Sequence, residues 1–199
     1  MRRDVSSQRE RAAEAMAFSE AHGFPFWLGL ASTFHAAARV AAGEQEAVAD
    51  LLPGLVQSGG TGNRGGAPGL LSVVADAYLT AGKLAEARSA VEGGLALAAQ
   101  TGQHFMDAEL HRLAGEIELA GGGAAADAEA LFLRSLEIAR SQEAKSPELR
   151  TATSLARLWR DQGRRVEARE LLAPIHAWFT EGFDTRDLVE AKALLAELP

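Results

Sequence analysis

Arg150, Arg157 and Arg160 are separated by seven and three residues, so three guanidinium groups share one face of a helix. Each presents five donors in a fixed fork that suits carboxylate or phosphate. Other residues able to do chemistry are sparse. Asp107 and His111 lie four apart and could share a metal ion, but two ligands are too few and no third is placed by spacing. A helix-surface pair, or a half-buried histidine, is the plainer expectation. There is no cysteine, and the five histidines stand in no nucleophile–base arrangement. The run Gly59-Gly60-Thr61-Gly62-Asn63-Arg64-Gly65-Gly66 has the look of a phosphate cradle. It lacks the Gly-Lys-Ser/Thr ending and a preceding strand, so it reads as a flexible connector. No catalysis, cofactor or metal is expected. Trp178, Phe179 and Phe183 cluster ahead of the last helix, either as an anchor for a partner or as the seat on which Leu188, Ala191, Leu194 and Leu195 rest.

Charge narrows the partner. The 199 residues carry 20 Lys and Arg against 27 Asp and Glu, a net −7, the opposite of the balance that neutralises phosphates. Nucleic acid is therefore not the expected ligand. The stretch from Arg134 to Arg169 departs locally, with nine basic residues against five acidic, which a solvated helix face explains as readily as a binding patch. No apolar run reaches the roughly 20 residues of a membrane span, and the start lacks a signal-peptide core. A cytoplasmic protein without a membrane partner is the expectation.

The elements that must position these residues follow a period. Ala47, Ala87, Ala128 and Ala168 recur at steps of 40, 41 and 40, each preceded by a glycine-led turn such as Gly82-Lys83-Leu84-Ala85-Glu86. Four residues after each comes Leu51, Val91, Phe132 or Leu172, and twelve or thirteen before lies His35, Ala75, Gly115 or Ala156. The apolar spacing is helical, as in Ala152, Leu155, Ala156 and Trp159. Pro25, Pro68 and Pro147 fall where the first helix of a pair should begin. Ser146-Pro147-Glu148 reads as a cap, first residue and acidic first turn. Ten helices result: one from about 4 to 21, four pairs centred near 33 and 51, 75 and 93, 112 and 133, 154 and 172, and one from about 184 to 198. Gln57 to Gly69 reads as a loop. Pro53 and Pro174 share one register of the second helix, so a bend or break is predicted in the first and fourth pairs.

A small residue twelve before an alanine, an apolar residue four after it and the Gly-x-x-x-Glu-Ala turn resemble the tetratricopeptide repeat (TPR). The segments 107–116, 153–159 and 178–185 look like the C-terminal repeat region of bacterial multidomain signalling ATPases, often joined to class III adenylate or guanylate cyclase domains. The resemblance implies an all-α, right-handed superhelical α-solenoid of about four TPR-like helix pairs, with a leading helix and a C-terminal capping helix. Its boundaries are 1–22 for the leading helix, 24–58, 68–102, 104–143 and 147–182 for the units, and 184–198 for the cap, all one domain. His35, bulky where a small residue is expected, and Glu118, in place of an aromatic, imply uneven packing in the first and third units.

By the same resemblance, groove residues lie on the first helix of each unit: Ser32 and Arg39, Ser72 and Asp76, Glu109, Arg112 and Glu116, then Arg150, Thr153, Arg157 and Arg160. Arg112 would lie beside the three arginines, giving a basic patch for an acidic peptide or a phosphorylated ligand. The asparagine clamp of one well-known groove type is not available, since the one asparagine is Asn63. The expected function is a non-catalytic protein-interaction or regulatory module at the C-terminal end of a larger signalling protein. The alternative is a domain that senses a small effector in the groove. The first helix reads as the second helix of a unit whose first is missing. The chain is therefore expected to be the end of a longer protein, and to self-associate at its N-terminal end through an apolar edge of Ala13, Met16 and Ala17.

Overall fold

The computed structural model describes residues 4–62 and 66–199. Those residues form ten α-helices and two 3-10 helices, with no strand among them. The chain divides into two compact units, residues 4–106 and 107–199.

In residues 4–106, α1 (Val5–Ala21) packs along α2 (Pro25–Ala41). Asp4 caps α1, its carboxylate accepting from the Ser7 N–H at 3.2 Å. Pro25 opens α2, where no N–H is needed. A 3-10 helix (Gln45–Asp50) leads into α3 (Leu51–Gly60), which packs back on α2. α4 (Ala67–Thr80) and α5 (Leu84–Thr101) form the next hairpin, α4 also touching α2, and a short 3-10 helix (His104–Met106) follows. In residues 107–199, α6 (Asp107–Ala120) pairs with α7 (Ala125–Ser141), and α8 (Lys145–Asp161) with α9 (Arg165–Ala177). α8 also packs on α6 and α7. α10 (Arg186–Glu197) lies on α8 and α9 in the way α8 lies on α6 and α7. The core here runs from Ala128, Phe132 and Leu136 through Leu155 and Ala156 to Leu172, Leu188 and Leu194, all almost fully buried.

One turn ends helix after helix. Gly43, Gly82, Gly122 and Gly163 adopt positive φ, and the next N–H bonds back to a carbonyl inside the helix: Glu44 to Arg39, Lys83 to Tyr78, Gly123 to Glu118, Arg164 to Trp159. This is the 6→1 closure of a Schellman turn, for which glycine is suited because it has no Cβ. The period in the sequence is this turn repeated.

Three local expectations are corrected. Gln57–Gly60 and Ala67–Gly69 are helical, so the connector expected over Gln57 to Gly69 shrinks to the residues between α3 and α4. Of that connector, Asn63, Arg64 and Gly65 lie outside the described residues. Ser146 is not the cap of α8, which begins at Lys145 after Ala144 with no side-chain cap bond. The two prolines differ. The stretch before Pro53 is 3-10 and the α-helix begins only at Leu51, as expected of a break, whereas α9 runs through Pro174 and ends at Ala177. Pro174 lies within the last turn, where the interruption of the ladder falls close to the helix end.

Candidate functional site

The arginine row is present on α8, but its charge is already matched. Arg112 on α6 is 4% exposed and donates to Glu109 at 2.7 Å and Glu116 at 3.3 Å. Arg150 donates from Nη1 to Glu109 at 3.3 Å and from Nε to Asp187 on α10 at 2.8 Å. Ser154 donates to the same Glu116 oxygen at 2.5 Å. Glu109, Arg112, Glu116 and Arg150 thus form one ionic cluster, mostly buried, that ties α6, α8 and α10 together. Arg157 donates to Glu190 at 2.8 Å, and Arg160 to Glu197 at 2.6 Å and Asp161 at 2.9 Å. Thr153 is buried and bonds the Leu149 carbonyl at 2.8 Å. The expected basic patch is therefore not free: α10 brings Asp187, Glu190 and Glu197 onto it. Burial alone would raise the Glu190 pKa, but Arg157 and Arg186 hold it below its ordinary value.

In residues 4–106, Arg39 is enclosed by Glu44 at 2.7 Å and Asp50 at 2.9 Å, and Asp76 is half-buried. The Ser32 and Ser72 hydroxyls bond the Leu28 and Gly69 carbonyls of their own helices. Arg39, Ser32 and Ser72 are thus already engaged by groups of this same unit.

His111 is half-buried, and its Nδ1 has no hydrogen-bond partner among the described residues. Burial, then the charge of Arg134, push its pKa down against the opposing pull of Asp107. Among the described residues no group of three His, Asp or Glu side chains could hold a metal.

The aromatic cluster divides between its two readings. Phe179 packs on the core, as a seat for α10 requires, and Leu188, Ala191 and Leu194 are buried over it. Trp178 and Phe183 remain 57% and 52% exposed. Trp178 walls a cavity of about 480 Å³ that also takes in Ser146, Glu181, Asp184 and Asp187. The Lys145 ammonium lies 5.7 Å from the Trp178 ring centroid, so the indole face already holds one cation.

A second exposed surface was not among the expected site residues. Phe18, Phe24 and Trp27 are 59%, 46% and 57% exposed and flank cavities of about 510 and 270 Å³ between α1 and α2. The sequence signal was the run of aromatics from Phe18 to Trp27 across a helix boundary, which spacing alone does not separate from core.

No family model matches the sequence. No curated protein matches it either. Two solved structures are similar, both of nearly identical TPR-like repeats from a kinesin-light-chain-like protein of Podosopora anserina. One, a single-substitution variant of that protein, is 22% identical with a TM-score of 0.59, covering 87% of this chain and 85% of that one. The other is 20% identical with a TM-score of 0.53, covering 97% and 95%. The likeness shows the fold, an α-solenoid of TPR-like repeats.

Proposed function

We propose that the chain is a non-catalytic protein-interaction module that docks a segment of another protein at the Trp178 cavity. The observation that carries this is an exposed tryptophan beside a cavity, on a fold of TPR-like repeats; tryptophan dominates protein–protein hot spots. Glu181 and Asp184 stand on the rim with no ion pair among the described residues, so the segment that fits best carries a basic side chain next to an apolar one. An acidic peptide at Arg157 and Arg160 would first have to displace Glu190 and Glu197, which favours the cavity as the docking place. The wider setting we propose is the C-terminal sensor or scaffold part of a larger bacterial signalling ATPase or cyclase in the cytoplasm. That setting rests on the resemblance of segments 107–116, 153–159 and 178–185. For the chain as a whole, no described helix is long and apolar enough to cross a membrane.

The test is a peptide array probed with the wild-type chain and with Trp178→Ala. Saturable binding to basic–apolar peptides, lost in the variant while its helical circular dichroism is kept, is the expected result. Binding that ignores Trp178 would place the site elsewhere. A second reading, a small-effector sensor, is favoured by the cavity volume, which lies in the roughly 300–1,000 Å³ range of ligand sites. A thermal-shift screen separates the two: a large shift from one metabolite, abolished by Trp178→Ala, selects the sensor.

A further inference from the structure

Trp159 and Trp178 each carry a cation over the indole ring, and they hold it unequally. The Arg164 guanidinium carbon lies 4.4 Å from the Trp159 ring centroid, while its nitrogens donate to Glu129 at 2.9 Å and to Glu167 at 2.8 Å. Glu129 also accepts from the Trp159 indole N–H at 2.8 Å. One indole, one guanidinium and two carboxylates thus make a closed set. Arginine suits it because a flat guanidinium can stack on a ring while its edge serves carboxylates; an ammonium has no such face.

At Trp178 the same parts are present without the arginine. The indole is exposed, and Glu181 and Asp184 line the same cavity, both exposed and with no ion pair among the described residues. Lys145 stands over the ring at the longer distance of 5.7 Å, and its ammonium is drawn the other way, to Glu148 at 2.7 Å. The cation at this face therefore leaves both rim carboxylates uncompensated. Resting on the reading of this cavity as a docking place, we propose that it takes an arginine of the partner segment, and that Lys145 is the internal occupant which that arginine displaces. The guanidinium lies on the Trp178 indole and donates to Glu181 and Asp184, as Arg164 does on Trp159. Lys145 can leave the ring and keep Glu148, and Glu148 also keeps Arg140 at 3.0 Å, so the exchange strands no buried charge. Until it moves, its like charge opposes a basic segment. Lys145 thus restrains binding instead of contributing to it.

The probe is the peptide acetyl-Gly-Leu-Arg-Leu-Gly-amide, with counterparts carrying citrulline or lysine in place of arginine. Citrulline keeps the planar shape and removes the charge. Binding to the full chain is read from the Trp178 indole N–H resonance in heteronuclear NMR, assigned by its loss in Trp178→Ala. The arginine peptide is expected to bind about tenfold tighter than the citrulline peptide and about threefold tighter than the lysine one. Lys145→Met should tighten the arginine peptide about threefold, and Glu181→Gln combined with Asp184→Asn should weaken it by about the same factor. Circular dichroism checks that the variants fold, and the citrulline comparison uses the wild type alone. Equal affinity for arginine and citrulline, unchanged or weaker binding to Lys145→Met, an indifferent double variant, or a Trp178 resonance that none of the peptides shifts would each overturn the proposal. The docking reading is judged separately by the peptide array. Array binding that needs Trp178 but tolerates citrulline removes the arginine and leaves the docking place, whereas array binding that ignores Trp178 removes both.

Discussion

Gly115 lies so close beneath the Phe132 ring that a Cβ added to it would come 2.5 Å from Cε1. Phe132 is fully buried and has nowhere to move. The crossing of α6 and α7 therefore depends on a missing side chain. The first pair achieves the same closeness at a different place. The position that matches Gly115, seven before the turn glycine, is the buried Ala36 rather than His35, and α2 and α3 meet most closely at Gly29 and Gly54. A Cβ on Gly29 would lie 2.6 Å from the Gly54 carbonyl oxygen, and one on Gly54 would lie 2.7 Å from that of Gly29.

Gly115→Ala should therefore destabilise, although alanine gains about 1 kcal/mol of helix propensity. Overpacking costs about 1–3 kcal/mol, and the buried ring cannot yield. Gly29→Ala should cost more, since backbone rather than a side chain is in the way. Urea unfolding of the three proteins is expected to rank wild type above Gly115→Ala above Gly29→Ala. A Gly29→Ala protein as stable as wild type would contradict the close crossing.

Arg150 bridges Glu109 behind it and Asp187 ahead of it, with its own side chain 11% exposed. Removing one partner of a buried ionic cluster leaves carboxylates without compensation, at about 3–5 kcal/mol. Glu109 keeps Arg112, so Arg150→Ala should fall at the low end, near ~3 kcal/mol. Hydrogen exchange should show α10 losing protection first. Uniform loss across α6 to α10 would mean that the bridge does not hold α10 in particular.

Much of this was legible in the sequence, for a physical reason. The repeat is set by its turns, and a Schellman glycine every 39 to 41 residues is a local signal that needs no knowledge of the fold. Helix number and order follow from it. What stayed hidden depended on distance in the chain. The α10 carboxylates that meet Arg150, Arg157 and Arg160 lie 33 to 37 residues further on, in a helix whose rotation no periodicity fixes. Glycines 59 and 60 signalled flexibility, whereas both end a helix. Trp178 and Phe179 are neighbours with opposite fates just past the end of α9, where helical periodicity no longer says which side chain turns inward.

Glu148 carries an acid-dependent share of the stability. It is 4% exposed and accepts from Arg140 at 3.0 Å and Lys145 at 2.7 Å. Burial raises its pKa, but the two cations outweigh burial, and the folded value falls below the ordinary 4.5. A carboxylate whose pKa is lower folded than unfolded contributes fully above its unfolded value and loses that contribution as pH falls through the folded one. Glu148→Gln should lower Tm at neutral pH and flatten the fall in Tm below about pH 5. If the two Tm curves keep a constant gap through the acid range, the group does not titrate in this way.

The two prolines offer a contrast inside one chain. Pro174 is exposed within α9, four residues after Glu170, whose carbonyl it leaves without the helical N–H. Proline is about 3 kcal/mol worse than alanine in a helix interior, while its stiffening of the unfolded chain returns up to about 1 kcal/mol. Near the last turn the interior penalty is only partly felt, so Pro174→Ala should stabilise by about 1 kcal/mol. Pro53 is the third residue of α3, directly after the 3-10 helix, where a missing N–H forgoes at most a bond of the first turn and not one of the helix interior. Pro53→Ala should then bring no gain, and the lost stiffness should cost a few tenths of a kcal/mol, on the order of the proline effect on the unfolded chain. Thermal unfolding of the two variants reads the difference. Equal shifts would show that position within the helix does not govern the cost of these prolines.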